Sequence, residues 1–149
     1  MRRIYQHDYP YFITIKTVKL NHGLFEEIEH ANIAAEAIRT ATAVYCFDLY
    51  GFVIMPDHIH ILLKTKDSEC TISKIMQGVK ATIYMRISRL LKTQDVFWQR
   101  SFYANTKDTS VLLETTIEYM RKNPQKWSLP AYYFVYPYQF FDEGLCKTL

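Results

Sequence analysis

Two histidines separated by one residue are the first feature of this sequence that could do chemistry. His58 and His60 lie in the stretch GFVIMPDHIHILLK, where two apolar runs flank Pro56-Asp57. This pattern predicts a strand, a tight turn and a second strand. Because side chains alternate along a strand, His58, His60 and Leu62 would share one face. Two imidazoles on one strand face can both bind one divalent cation.

A tyrosine and an asparagine four residues apart could complete such a site. Tyr119 and Asn123 lie in a segment with helical periodicity, so both side chains would project from one helical face. Asn123 offers an amide oxygen, a third ligand that suits Mg²⁺ or Mn²⁺. Tyr119 offers a phenol, which can act as a nucleophile on phosphorus. A cation would assist it, because phenol ionises only near pH 10 in water.

Length and composition favour a single globular domain over residues 1–149. The chain is 49% hydrophobic and 22% charged, which excludes long disorder. The start lacks the pattern of a signal peptide, no stretch reaches the length of a membrane span, and three scattered cysteines form no metal-type pair. We therefore expect a cytoplasmic protein with no membrane association. The net charge of +3 permits contact with nucleic acid without requiring it.

Hydrophobic periodicity predicts the order strand, helix, strand, strand, helix, strand, followed by a third helix. The expected strands are Tyr11–Lys19, Tyr45–Met55, His58–Thr65 and a short strand over Val96–Asn105, broken at Arg100-Ser101. The expected helices run from Leu24 to about Ala43, from a Thr71 cap to about Leu91, and from Asp108–Ser110 to Pro124, which should end the last one. This order is the split βαβ arrangement of ferredoxin-like folds, an α+β antiparallel sheet with helices packed on one face.

Four motifs in this order resemble those of the single-tyrosine HUH transposases, in which two histidines flank a bulky apolar residue. His58-Ile59-His60 is similar to that motif, Ile72–Lys80 to the second-helix motif of the family, Trp98-Gln99 to its short strand and Tyr119–Pro124 to its nucleophile helix. The resemblance is closest to the REP-associated tyrosine transposases and related insertion-sequence transposases. It extends from about Tyr9 to Trp127, most of the chain.

The resemblance implies a metal-dependent enzyme that nicks and rejoins DNA. Tyr119 would attack a scissile phosphate in single-stranded DNA, leaving a 5′-phosphotyrosine and a free 3′-hydroxyl. His58, His60 and Asn123 would hold the divalent metal, Mg²⁺ or Mn²⁺. The family also implies recognition of hairpin DNA beside the cleavage site. Some relatives are homodimers that exchange the nucleophile helix and others act alone, so the oligomeric state is left open.

Basic residues supply candidate contacts to DNA phosphates. These candidates are Arg2, Arg3, Lys16, Lys19 and Arg100. The ordinary role of surface lysines and arginines is to be solvated, so charge alone does not assign them.

Two other classes of protein stay open. Histidine-triad nucleotide hydrolases also have histidines at alternate strand positions, but they require a third where Leu62 stands. The second alternative is a binding protein for hairpin or single-stranded nucleic acid, such as a domesticated, inactive transposase. The family commonly carries an acidic residue and a histidine where this chain has Tyr103-Ala104-Asn105-Thr106, a departure that bears on this alternative. Loss of function on removal of metal would separate an enzyme from a binder.

Overall fold

The protein is an open antiparallel sheet with helices on both faces. The computed structural model describes residues 9–66, 69–107 and 110–147. Its strands and α-helices are β1 (Tyr11–Lys16), α1 (Ile28–Tyr45), β2 (Phe47–Ile54), β3 (His58–Thr65), α2 (Ile72–Leu91), β4 (Tyr103–Thr106), α3 (Ser110–Lys126), β5 (Gln139–Phe141) and α4 (Glu143–Cys146). Short 3-10 turns cover Lys19–Asn21, Leu24–Glu26 and Ala131–Phe134. Within the described ranges, no helix is both long and apolar enough to cross a membrane.

The strands are arranged in the order β4-β1-β3-β2-β5, and each neighbouring pair is antiparallel. The predicted α+β class and the split βαβ order are therefore confirmed, with β5 added beside β2. The broken fourth strand is also confirmed in outline. Trp98 forms an isolated bridge with Thr17, and β4 begins only at Tyr103.

One face of the sheet packs against α1 and α2. Ile59, Ile61 and Leu63 of β3 lie in this core, as the predicted alternation requires. The buried apolar stripe of α2 belongs to the same core cluster. The Thr71 hydroxyl caps that helix by accepting a hydrogen bond from the Lys74 amide at 3.2 Å. The first helix begins later than expected, because Leu24–Glu26 forms a 3-10 turn.

The expected packing of helices on one face holds for α1 and α2 but not for α3. A second core cluster joins α3 to the opposite face of the sheet through Leu113, Ile117, Met120, Val53 and Leu62. Leu62 points away from α1 and α2, so α3 is the element that removes it from water. As a result, α3 lies over the same face of the sheet as His58 and His60.

Helix α3 also continues past its expected end. Pro124 lies inside it, and the helix ends at Lys126. Because Pro124 is close to the end, its missing N–H removes only one of the last helical hydrogen bonds. The chain turns at Ser128, where φ is 53°, and the Leu129 amide donates to the Pro124 carbonyl at 3.0 Å. This closed turn fixes the backbone that follows α3.

Candidate active site

A cleft of about 870 Å³ opens on the face of the sheet that α3 partly covers. Its lining includes all four residues that the sequence predicts for catalysis and metal binding, namely His58, His60, Tyr119 and Asn123. Residues 58 and 60 come from β3 at the centre of the sheet, and residues 119 and 123 come from consecutive turns of α3. The fold therefore brings two distant segments of the sequence to one site.

The two imidazoles lie side by side, with ring centroids 4.7 Å apart. His58 Nδ1 lies 2.6 Å from Asp57 Oδ1, and His60 Nδ1 lies 2.9 Å from Thr14 Oγ1. When Nδ1 of each ring donates its proton to these oxygens, Nε2 keeps a lone pair that can bind a cation. The Asp57 carboxylate and the Thr14 hydroxyl therefore orient the proposed ligands.

His60 is buried and neutral. Burial, followed by the charges of His58 and Lys16, lowers the pKa of His60 to about 3. Its ring also stacks on Phe12 with centroids 4.9 Å apart. A neutral imidazole in a fixed position is the form that binds a metal ion.

Asn123 is the most unusual polar residue of the cleft. Only 1% of it is exposed, and neither its Oδ1 nor its Nδ2 has a hydrogen-bond partner among the residues that the structure describes. A buried amide without partners is costly, so each such group in a native protein requires an explanation. An amide oxygen that ligates a cation would supply one.

Two imidazole nitrogens and one amide oxygen make a donor set that fits Mn²⁺, and Mg²⁺ through the oxygen. In the part of the chain that the structure describes, no three or more His, Cys, Asp or Glu residues form a metal-binding group. The candidate site is therefore the mixed set of His58, His60 and Asn123.

Tyr119 reaches the cleft from α3 and is 45% exposed. Its ring centroid lies 6.3 Å from that of His60 and 6.2 Å from that of Phe12. Lys126 Nζ lies 5.9 Å from the centroid of the same ring. The phenol is therefore accessible to a large substrate, next to the histidine pair and close to a positive charge.

The predicted phosphate contacts do not lie together. Lys16 lines the cleft, whereas Lys19 lies on an exposed turn and Arg100 lines a different pocket. Arg2 and Arg3 lie outside the described residues. Of the described candidates, Lys16 alone lines the cleft.

The structure adds residues that sequence reasoning missed. Thr14 contacts His60 only because β1 pairs with β3, which a pattern within one strand cannot show. Lys126 is seven residues after Tyr119, and helical periodicity would have found it had the helix not been ended at Pro124. Trp127, which lines the cleft, lies just beyond the same boundary.

The fold is similar to that of solved transposase structures. A structure of a REP-associated tyrosine transposase bound to a REP hairpin matches with a TM-score of 0.75 and 17% identity, covering 100% of this chain and 86% of that one. A candidate transposase from Deinococcus radiodurans R1 matches with a TM-score of 0.56 and 19% identity, covering 80% of this chain and 98% of that one. No curated protein matches the sequence.

The family model described as "Transposase IS200 like" matches residues 7–123. The chain belongs to the IS200-like transposase family. The resemblance to single-tyrosine transposases inferred from the four motifs is therefore confirmed.

Proposed function

We propose that this transposase-family protein cleaves and rejoins single-stranded DNA through a covalent bond between Tyr119 and a 5′-phosphate. The observation that carries the proposal is the position of Tyr119 and Asn123 on α3, facing His58 and His60 in one open cleft. The reaction needs a nucleophile, a means of offsetting phosphate charge and access for a polymer, and each has a candidate in this cleft.

In the proposed cleavage step, the Tyr119 phenol oxygen forms a bond to the scissile phosphorus. The bond between that phosphorus and the 3′ oxygen breaks, the phenol proton passes to solvent, and the leaving oxygen takes up a proton as a 3′-hydroxyl. In the reverse direction, a 3′-hydroxyl attacks the phosphotyrosine and restores the phenol. The number of phosphodiester-type bonds is conserved, so no ATP is required.

His58, His60 and Asn123 are the residues that would hold a divalent cation in this site. When bound, the cation would offset negative charge on the phosphate as the tyrosine attacks. The protein's own part is to orient both imidazoles, through Asp57 and Thr14, and to present an amide that has no other partner among the described residues. Mn²⁺ suits this mixture of nitrogen and oxygen donors and is the cation to test first.

Hairpin DNA next to a single strand is the proposed substrate class. Family membership supports a DNA substrate, and a structure of similar fold is described as bound to a REP hairpin. Lys16 and Lys126 would contribute positive charge beside the reacting phosphate.

The test is formation of a covalent protein–DNA adduct. Labelled single-stranded oligonucleotides with hairpins, taken from DNA flanking the gene, are incubated with Mn²⁺ or with EDTA. We expect an adduct with Mn²⁺ that disappears with EDTA and in Tyr119→Phe. Tyr132→Phe is the matched control, because Tyr132 is similarly exposed, at 48%, but does not line the cleft.

Two other outcomes would contradict the proposal. An adduct that persists in Tyr119→Phe would show that another tyrosine is the nucleophile. Tight hairpin binding without an adduct under any metal would favour the inactive binding protein instead, and the segment Tyr103–Thr106 would be examined first.

A further inference from the structure

Two large aromatic side chains line the same cleft and remain mostly in water. Tyr103 and Trp127 are each 61% exposed. Single exposed aromatics are common on protein surfaces, but two of them bordering one candidate active site are a more specific arrangement. The proposed reaction uses neither of them, so their exposure needs a separate explanation.

Tyr103 is placed by the register of the sheet. It pairs with Thr14 of β1, and Thr14 pairs with His60 of β3, so the three residues form one row across the strands. Residues directly opposite one another in an antiparallel sheet share a face. Tyr103 therefore lies on the face of His60, two strands or roughly 10 Å away. Lys16 Nζ lies 5.3 Å from the centroid of its ring.

Trp127 is placed by the end of α3. It follows Tyr119 and Asn123 at steps of four residues, and all three line the cleft. The turn that contains it is closed by a hydrogen bond from the Ser128 amide to the Gln125 carbonyl at 3.0 Å. A fixed backbone thus holds an indole that is itself exposed.

We propose that Tyr103 and Trp127 are base-stacking contacts that hold single-stranded DNA across the cleft, with bases on both sides of the scissile phosphate. This inference rests on the proposed function, because it assigns the substrate contacts of the same site. Aromatic rings stack on any base, and they lose little conformational freedom when they do so.

The charges beside the rings favour DNA over a second protein surface. Lys16 lies next to the ring of Tyr103. Lys126 lies next to the ring of Tyr119 and directly precedes Trp127 in the sequence. Lys16 lines the cleft together with Tyr103, and Lys126 lines an adjoining pocket together with Tyr119. An ammonium group beside an aromatic ring matches a base and its neighbouring phosphate. The acidic residues Glu26 and Asp57 lie in the same cleft, and Asp57 is engaged by His58.

Tryptophan fluorescence can test this proposal directly. The chain has two tryptophans, and Trp98 is buried, so Trp127 is the one that reports on solvent and on DNA. In the Tyr119→Phe background, which prevents cleavage, the protein is titrated with a thymidine oligonucleotide and with an abasic oligonucleotide of the same length. The two probes carry the same phosphates and differ only in their bases.

We expect the thymidine oligonucleotide to quench the emission and the abasic one to leave it largely unchanged. The affinities of the variants are measured by the fluorescence anisotropy of a dye-labelled oligonucleotide, because the Trp127 variants lack the reporting indole. By this measurement, Trp127→Ala and Tyr103→Ala should each weaken binding of the thymidine oligonucleotide by roughly 5- to 150-fold. The same changes should leave affinity for the abasic oligonucleotide nearly unaltered. Trp127→Phe and Tyr103→Phe, which keep a ring, should recover most of the affinity, and Tyr132→Ala should bind like the parent.

Three results would overturn the proposal. The first is absence of quenching by the thymidine oligonucleotide, and the second is equal loss of affinity for both probes, which would indicate a structural effect. The third is a blue shift of the emission that grows with protein concentration without DNA, which would assign Trp127 to an interface between two copies.

The proposed function can fail or hold independently of this result. Quenching that depends on bases, without any adduct, would support stacking in a protein that only binds. If Trp127→Ala and Tyr103→Ala form the adduct with an unchanged KM, the proposed DNA cleavage is supported. The proposed stacking role of the two rings is then refuted.

Discussion

Replacing Asn123 by leucine should make the metal-free protein more stable and should lower the proposed DNA-cleaving activity. Asn123 is buried, and both polar atoms of its amide lack a hydrogen-bond partner among the described residues. Protein mutational data place the cost of such an unsatisfied buried group at about 1–3 kcal/mol. Leucine is similar in shape and has no polar atoms, so Asn123→Leu should recover free energy of that order.

The gain can be measured as a shift in thermal unfolding. For a chain of this size, 1 kcal/mol moves the midpoint by roughly 2–4 °C, so an increase of about 2–12 °C is expected with EDTA present. With Mn²⁺ at a hundred times its dissociation constant, the wild type should gain about 2.7 kcal/mol by mass action. Asn123→Leu should gain much less, because it lacks one of the three proposed ligands. Adduct yield should fall by more than about tenfold.

The control is Thr116→Val, another buried polar residue of α3. The Thr116 hydroxyl donates a hydrogen bond to the Leu112 carbonyl at 2.7 Å, so its removal should lose up to about 1.5 kcal/mol rather than gain stability. If Asn123→Leu is destabilised as much as this control, Asn123 is satisfied in the folded protein. That result would refute a cation-binding role for the Asn123 amide.

Three further predictions concern orientation, pH and packing. Thr14→Val, which removes the hydroxyl beside His60, should weaken Mn²⁺ binding by about 10–100-fold in calorimetry, and an unchanged affinity would contradict its orienting role. Burial raises the pKa of Tyr138 to about 12, so the folded protein keeps a proton that the unfolded chain loses near pH 10. The free energy of unfolding measured in urea should therefore fall as pH rises from 10 to 12, and less steeply in Tyr138→Phe. Gly51→Ala places a methyl group 2.6 Å from the Phe140 carbonyl oxygen and should cost about 1–3 kcal/mol, whereas Gly144→Ala should be near neutral.

The parts of the site that lie on one element could be predicted from the sequence. The strand period of two places His58 and His60 on one face of β3. The helical period places Tyr119 and Asn123 on one face of α3. These are local properties of the backbone, so they do not depend on the rest of the fold. The same holds for the Thr71 cap of α2.

Contacts between elements could not be predicted in this way. Thr14 and His60 are 46 residues apart, and they meet because β1 and β3 pair in one particular register. A shift of that register by one residue would turn Thr14 to the other face of the sheet. The burial of Asn123 likewise depends on how α3 packs, which its own periodicity does not determine.

The position of α3 is a different case, because the predicted site already implied it. If His58 and His60 share a face with Leu62, they point away from the core formed by Ile59 and Ile61. A helix packed over that core cannot bring a tyrosine to the histidines, because the sheet would lie between them. Placing all helices on one face was therefore incompatible with a site that joins β3 to α3. A site that joins His58 and His60 to Tyr119 therefore requires α3 to lie on the face of the sheet opposite α1 and α2.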